Sequence, residues 1–375
     1  MKKTLFTILI LIIVVPFSAF AATEHKLHFT GWIPFWHKEL GVSDVIAHFS
    51  QLDSVSPFGY HVDADGTLLD TARMDEGPWG EFTDENEQSL TKIIPTILWG
   101  DAVPMQRILG NAKKRNKHIA QIVTQILDDP RFAGVDIDYE AKQARSQLYY
   151  SAFLRTLHSK AAARQKLLVC TIEARTPVHA RYTTVNQKLL DSIQYSNDYA
   201  VIGEHCDIVR IMAYDQGAID VKLNAQRDDM NYYAPVADIA WVEKVLKLAM
   251  EKIPAKKIEL GVASYGYVWE LTPATAPKTG YSYKRIRATN YPQAKKLCEQ
   301  NSTMLSRNSA GEVSCSFPSK PMIAETTTNK ITLVWVSDST SVEQKVELAR
   351  KLRLRGIAVF KFDGEHDGKL WDVLK

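Results

Sequence analysis

Eight short runs of apolar and aromatic residues recur along the chain, with amphipathic stretches between most of them. The runs are LHFTGWIPFW (27–36), LDSVSPFGYHV (52–62), IIPTIL (93–98), GVDIDYE (134–140), LLVCTIEA (167–174), CDIVRIMAYD (206–215), IELGVASYGY (258–267) and GIAVFKFDG (356–364). Each has the length and the bounding turn residues of a strand. Between them, Val103–Leu127, Ser146–Arg164, Val185–Ile193, Ile239–Ile253 and Val342–Arg355 carry apolar residues at helical spacing, which gives a helix one face to bury. Lys and Arg collect late in the last stretch, where a helix C-terminus favours positive charge. Strand and helix alternating in this way predict an α/β fold, a (β/α)8 TIM barrel. One connection breaks the rhythm: more than seventy residues separate Tyr267 from Val342. It holds strand-like pieces of its own, GYSYKRIRA and KITLVWVSD, and loops of that length normally carry structure. They predict a small α+β insertion after strand seven, over residues about 269–336.

The first 21 residues stand apart. Lys2 and Lys3 precede an apolar run from Leu5 to Val15, and Ala19-Phe20-Ala21 forms an A-x-A cleavage site. This pattern predicts a secretory signal peptide over 1–21. The mature chain, 22–375, is then one catalytic barrel domain that works extracytoplasmically, secreted or periplasmic, with no stable membrane anchor after cleavage. The formal net charge of +3 falls to +1 once Lys2 and Lys3 are removed. Without basic blocks, such a chain offers no argument for nucleic acid or anionic lipid. Nothing in the sequence sets an oligomeric state, and a monomer is the default expectation. Cys298 and Cys315 are close in sequence in a polar, loop-rich region and are expected to pair. Cys170, inside an apolar strand, reads as a buried thiol.

The candidate chemistry begins with GVDIDYE. Asp136, Asp138 and Glu140 occupy every second position, so a strand points all three the same way. Val135 and Ile137 demand burial on the other face. Three like charges on a buried face are costly unless they share protons and partners. A barrel places the end of a strand at its catalytic mouth, so Glu140 belongs at the rim, with Asp138 and Asp136 successively deeper. An exposed acidic edge and a three-acid metal site are the rival readings; no His lies nearby at ligand spacing, and no metal or cofactor is expected. Arg210 lies four residues before Tyr214, as Asp136 lies four before Glu140. Alternate strands fill the same interior layers, so Arg210 is expected to approach Asp136. Trp32, Trp36 and Trp99, near strand ends, are candidates to stack on a ligand or simply to pack.

GVDIDYE followed by MAYD (212–215) resembles the strand-four signature D-x-x-D-x-D-x-E and the M-x-Y-D of glycoside hydrolase family 18, the chitinase family. GWIPFW, SPFGYHVDADGTL, GVASYGYVW and GIAVFKFDGEHD resemble its first, second, seventh and eighth strands, so the likeness covers nearly the whole mature chain. Ala133 stands where the signature has its first acid, and Phe360 where the family usually has a Trp under the sugar. The resemblance implies a retaining, substrate-assisted hydrolysis of β-linked N-acetylglucosamine glycans, in which the substrate's acetamido oxygen attacks its own anomeric carbon. It implies Glu140 as the proton donor, Asp138 as the group that orients the acetamido N–H and shares a proton with Asp136, and Tyr214 as donor to the acetamido oxygen. Asp215 would bind substrate or order Tyr214; Glu173, Tyr265, Phe360 and Trp36 would wall the pocket. Chitin or chito-oligosaccharides are the expected partner glycans, with peptidoglycan or an N-glycan core as rivals. The alternative is an inactive, glycan-binding member.

Overall fold

The computed structural model describes residues 26–86, 89–182, 184–217, 232–273, 281–319 and 330–375. The leader expected over 1–21 lies outside them. Eight parallel strands form a barrel: His28–Ile33, Ser54–Val62, Thr96–Trp99, Gly134–Tyr139, Leu167–Glu173, Ile208–Met212, Ile258–Ala263 and Gly356–Phe360, here the first to the eighth. Their order in the sheet follows the chain. The first strand pairs with both the second (Thr30 opposite Ser54) and the eighth (His28 opposite Gly356), so the sheet closes.

The fourth strand shows how the local pattern becomes architecture. Val135, Ile137 and Tyr139 are buried toward the outer helices, where the Tyr139 ring stacks on Phe153 of helix Gln147–Ala162 and its hydroxyl bonds His118 Nε2 at 2.5 Å. Asp136 and Asp138 alternate onto the inner face. There the barrel holds charge as well as hydrocarbon. Arg210 Nη1 donates to Asp136 at 3.1 Å and Nε to Glu259 at 3.0 Å, and all three residues are 0% exposed. Ser56 and Thr30 complete the cluster, accepting from Arg210 and donating to Glu259, respectively. Buried charges persist when paired and hydrogen-bonded in this way. The expected approach of Arg210 to Asp136 is present, and Glu259 is a further partner.

Cys170 is not a free thiol. It is bonded to Cys206, which lies just ahead of the sixth strand. The fifth and sixth strands are adjacent, with Cys170 opposite Val209, and a Cα separation of 6.0 Å suits a disulfide. Cys298 and Cys315 are bonded as expected.

The seventh run, IELGVASYGY, divides at Ser264. Its first half is the barrel strand, and Tyr265–Pro273 begins a separate five-stranded antiparallel sheet. In this sheet Tyr265–Pro273 lies between Tyr281–Asn290 and Ile331–Val336, followed by Val313–Pro318 and Ser306–Arg307. Helix Tyr291–Gln300 packs on it. Glu312 ties the sheet to the barrel, accepting from the backbone N–H groups of Val236 and Ala237 and from the Trp335 indole.

Candidate active site

A cavity of about 440 Å³ opens at the C-terminal end of the barrel strands, a size suited to a small ligand. Asp138, Glu140, Glu173, Tyr214, Asp215, Tyr265, Phe360 and Trp36 all line it. Asp136 lies beneath, inside the barrel.

The three acids differ in their partners. Asp136 accepts from Trp32 Nε1 (2.9 Å), Thr96 Oγ1 (2.8 Å), Thr171 Oγ1 (2.7 Å) and Arg210. Four donors, one of them a cation, satisfy its oxygens. Asp138 is buried, and its Oδ1 meets no partner among the described residues. Burial, with Glu140 and Asp136 nearby, pushes its carboxyl well above the usual range. Glu140, at the rim, is also raised, first by burial and then by the charge of Glu173. A carboxyl with a raised pKa, on a cavity wall, suits the work of an acid.

Glu173 has different surroundings. Burial pushes it up, but Lys142, its own backbone and Asn197 outweigh burial and hold it below the usual value. Lys142 Nζ lies 3.3 Å from Glu173 Oε2, and Asn197 Nδ2 donates to the same oxygen at 2.8 Å. Ala141 N–H donates to Oε1 at 3.0 Å. Ala141 and Asp215 follow Glu140 and Tyr214, and both hold left-handed backbone, φ 53° and 57°. Such backbone costs about 1–3 kcal/mol and persists only where neighbours hold it. Glu173 is such a neighbour for Ala141. For Asp215 the neighbours are the Tyr265 and Tyr267 hydroxyls, which both donate to its Oδ1 at 2.7 Å.

Phe360 is the centre of an aromatic floor. Its ring lies 5.8 Å from Tyr214, nearly parallel, 5.9 Å from Trp32 and 5.7 Å from Phe58. Burial, then the acids around it, push the Tyr214 phenol well above its ordinary value, so it stays protonated and can donate. Trp36 is 49% exposed at the edge. Trp32 and Trp99 are buried; Trp32 spends its N–H on Asp136, and Trp99 packs on Tyr139.

Sequence reasoning missed Lys142, Asn197 and Glu259. Glu259, a lone acid in an apolar strand, was a usable signal; the other two reach Glu173 from loops and gave none. His37, Asp363 and Glu365 bring ligand atoms within 4.8 Å of one another, yet Lys361 already pairs with Asp363 and Asn290 donates to Glu365.

The model of the family "Glycosyl hydrolases family 18" matches residues 17–365. YvbX, an uncharacterized glycosylase of Bacillus subtilis, is 24% identical over 270 residues, 72% of this chain and 68% of its own. A cortical fragment-lytic enzyme of Bacillus subtilis is 26% identical over 245 residues, 64% of this chain and 49% of the enzyme, so the match spans about half of that relative. Among solved structures, the spore cortex-lytic enzyme SleL of Bacillus cereus superposes with a TM-score of 0.70 at 19% identity, covering 93% of this chain and 73% of that one. A class V chitinase from Pseudomonas fluorescens gives 0.72 at 17% identity, covering 93% and 98%. At these identities the structures speak for a shared fold.

Proposed function

The chain belongs to glycosyl hydrolases family 18 and is a glycoside hydrolase; from that premise we propose that it cleaves β-linked N-acetylglucosamine glycans with retention, using the substrate's acetamido group as nucleophile. One observation carries the mechanism. Among the described residues four carboxylates line the cavity, and two are already engaged: Glu173 by Lys142 and Asn197, Asp215 by two tyrosine hydroxyls. The remaining pair, Asp138 and Glu140, are near neighbours on one side of the mouth. A two-carboxylate glycosidase needs its groups on opposite sides of the scissile bond, and among the described residues no uncommitted carboxylate faces Glu140.

In this reading the sugar rests on Phe360, with Asp138 accepting from its acetamido N–H and Tyr214 donating to the acetamido oxygen. Glu140 gives its proton to the leaving oxygen as the C1–O bond breaks and the acetamido oxygen bonds to C1. The resulting Glu140 carboxylate then takes a proton from the water that attacks C1, and the acetamido group is restored. Asp136 and Arg210 hold the strand below. The scheme calls for no metal or cofactor. Export is part of the reading; the leader pattern and two disulfides support it, since disulfides persist outside the cytoplasm.

The test compares an aryl N-acetylglucosaminide with the matching glucoside, following product anomers by NMR. Cleavage confined to the acetamido sugar, with retention, is expected. Asp138→Asn should lower turnover on it. Equal rates on the two substrates, or inversion, would refute the mechanism; no cleavage of any acetamido glycan would leave a glycan-binding protein.

A further inference from the structure

A second cleft, of about 200 Å³, opens off the main cavity beside Glu173, Ala174 and Arg181, which line both. Two arginines face it. Arg175 lies over the rings of Tyr195 and Tyr199, at 4.1 and 3.7 Å from their centroids. Arg181 is exposed at the junction. Neither forms an ion pair among the described residues, while the one acid in the cleft, Glu173, is taken up by Lys142 and Asn197. Asn197 is 8% exposed, and its Oδ1 meets no donor among the described residues. A buried amide oxygen without a partner costs stability, so a ligand supplying a hydroxyl or amide N–H has something to gain there. The cleft thus asks for a carboxylate and a hydrogen-bond donor on one molecule.

Its side of the mouth says which part of the substrate enters. The aromatic floor centres on Phe360 of the eighth strand, with Trp32 of the first and Phe58 of the second beside it and Tyr214 after the sixth, and the cleft belongs to the end of the fifth strand and the chain after it. Under the function proposed above, on which this inference rests, the cleaved sugar occupies the floor and Glu140 stands between it and the leaving group. The leaving sugar therefore lies toward the fifth strand. Chitin would present a neutral sugar to these arginines. A muramic-acid-type sugar would present an N-acyl group and an O-lactyl carboxylate, or the carboxylates of an attached peptide.

We propose that Arg181 and Arg175 form a carboxylate-recognising subsite for the leaving sugar, so that the preferred substrate is an acidic N-acetylated glycan of the peptidoglycan type, cut after N-acetylglucosamine. The mature chain and its Arg181→Ala and Arg181→Lys variants are compared on peptidoglycan strands, on the same strands stripped of peptide by an amidase, and on chito-oligosaccharide of equal length. Charge-assisted hydrogen bonds are the strong ones, and for a partly exposed group about tenfold is expected. The ratio of kcat/KM on acidic to neutral glycan should fall about tenfold in Arg181→Ala, chiefly through KM, and recover in part in Arg181→Lys. Loss on stripped strands assigns the lactyl carboxylate; loss only on intact strands assigns the peptide. New reducing ends should be N-acetylglucosamine. A ratio within twofold of wild type on both strands, or muramic acid at the new reducing end, overturns the subsite and leaves the glycosidase reading standing. A wild type that cleaves none of the three glycans removes both.

Discussion

Glu140 and Asp138 share a strand face, and the distance of each from water separates their roles. Asp138 is buried with an unpaired oxygen, whereas Glu140 stands at the rim of the cavity. Glu140→Gln keeps the shape and removes the transferable proton. General acid–base catalysis is worth about 10²–10⁴-fold, so kcat should fall by at least that order while equilibrium binding of a chito-oligosaccharide, measured by calorimetry, persists. The pH profile should follow the neighbours. In the proposed mechanism Glu140 works protonated, so activity should fall as pH rises through its raised pKa. The negative charge of Glu173 contributes to that rise. In Glu173→Gln this charge is gone and Lys142 is left uncompensated; both changes lower the Glu140 pKa. The alkaline limb of kcat/KM against pH should therefore move to lower pH, and an unmoved or alkaline-shifted limb would show that Glu173 does not set it.

At the scale of elements, the fourth, sixth and seventh strands are joined inside the barrel by Arg210, which bridges Asp136 and Glu259. Removing one partner of a buried ion pair strands the other charge and costs about 3–5 kcal/mol. Arg210→Ala should lose stability of that order in urea denaturation near neutral pH. A variant as stable as wild type would mean that the cluster only fills space. Arg355, 3.2 Å from Glu259 on its outer side, remains in the variant, so the residual cost should fall mainly on Asp136.

On the scale of the whole molecule, the inserted sheet is part of the cavity. Its first strand supplies Tyr265 and Tyr267, and their hydroxyls hold Asp215 in its left-handed turn after the sixth strand. Hydrogen bonds to a charged group contribute about 1.5–3 kcal/mol each when buried, and less at this half-open mouth. The Tyr265→Phe, Tyr267→Phe double variant should fold, as judged by an unchanged circular dichroism spectrum, and lose about tenfold or more in kcat/KM. Retention of full activity would mean that Asp215 is held by other contacts.

Much of this was legible in the chain because strand alternation is local. A period of two follows from backbone geometry alone, so Asp136, Asp138 and Glu140 had to share a face once Val135 and Ile137 marked the other. The same parity, applied to two alternate strands, was enough to bring Arg210 to Asp136. Strand-helix repetition predicted the barrel, and the barrel assigned the mouth. What the sequence could not express were contacts set by register between strands remote in the chain and by the paths of loops. The Cys170–Cys206 bond depends on the fifth and sixth strands lying side by side at one register. The division of IELGVASYGY at Ser264, where the backbone N–H turns to Phe360 O, moved Tyr265 from barrel strand to inserted sheet. Lys142 and Asn197 meet at Glu173 only because two loops fold toward each other over the barrel rim. Alternation decides which way a side chain points; only the closed fold decides what it meets there.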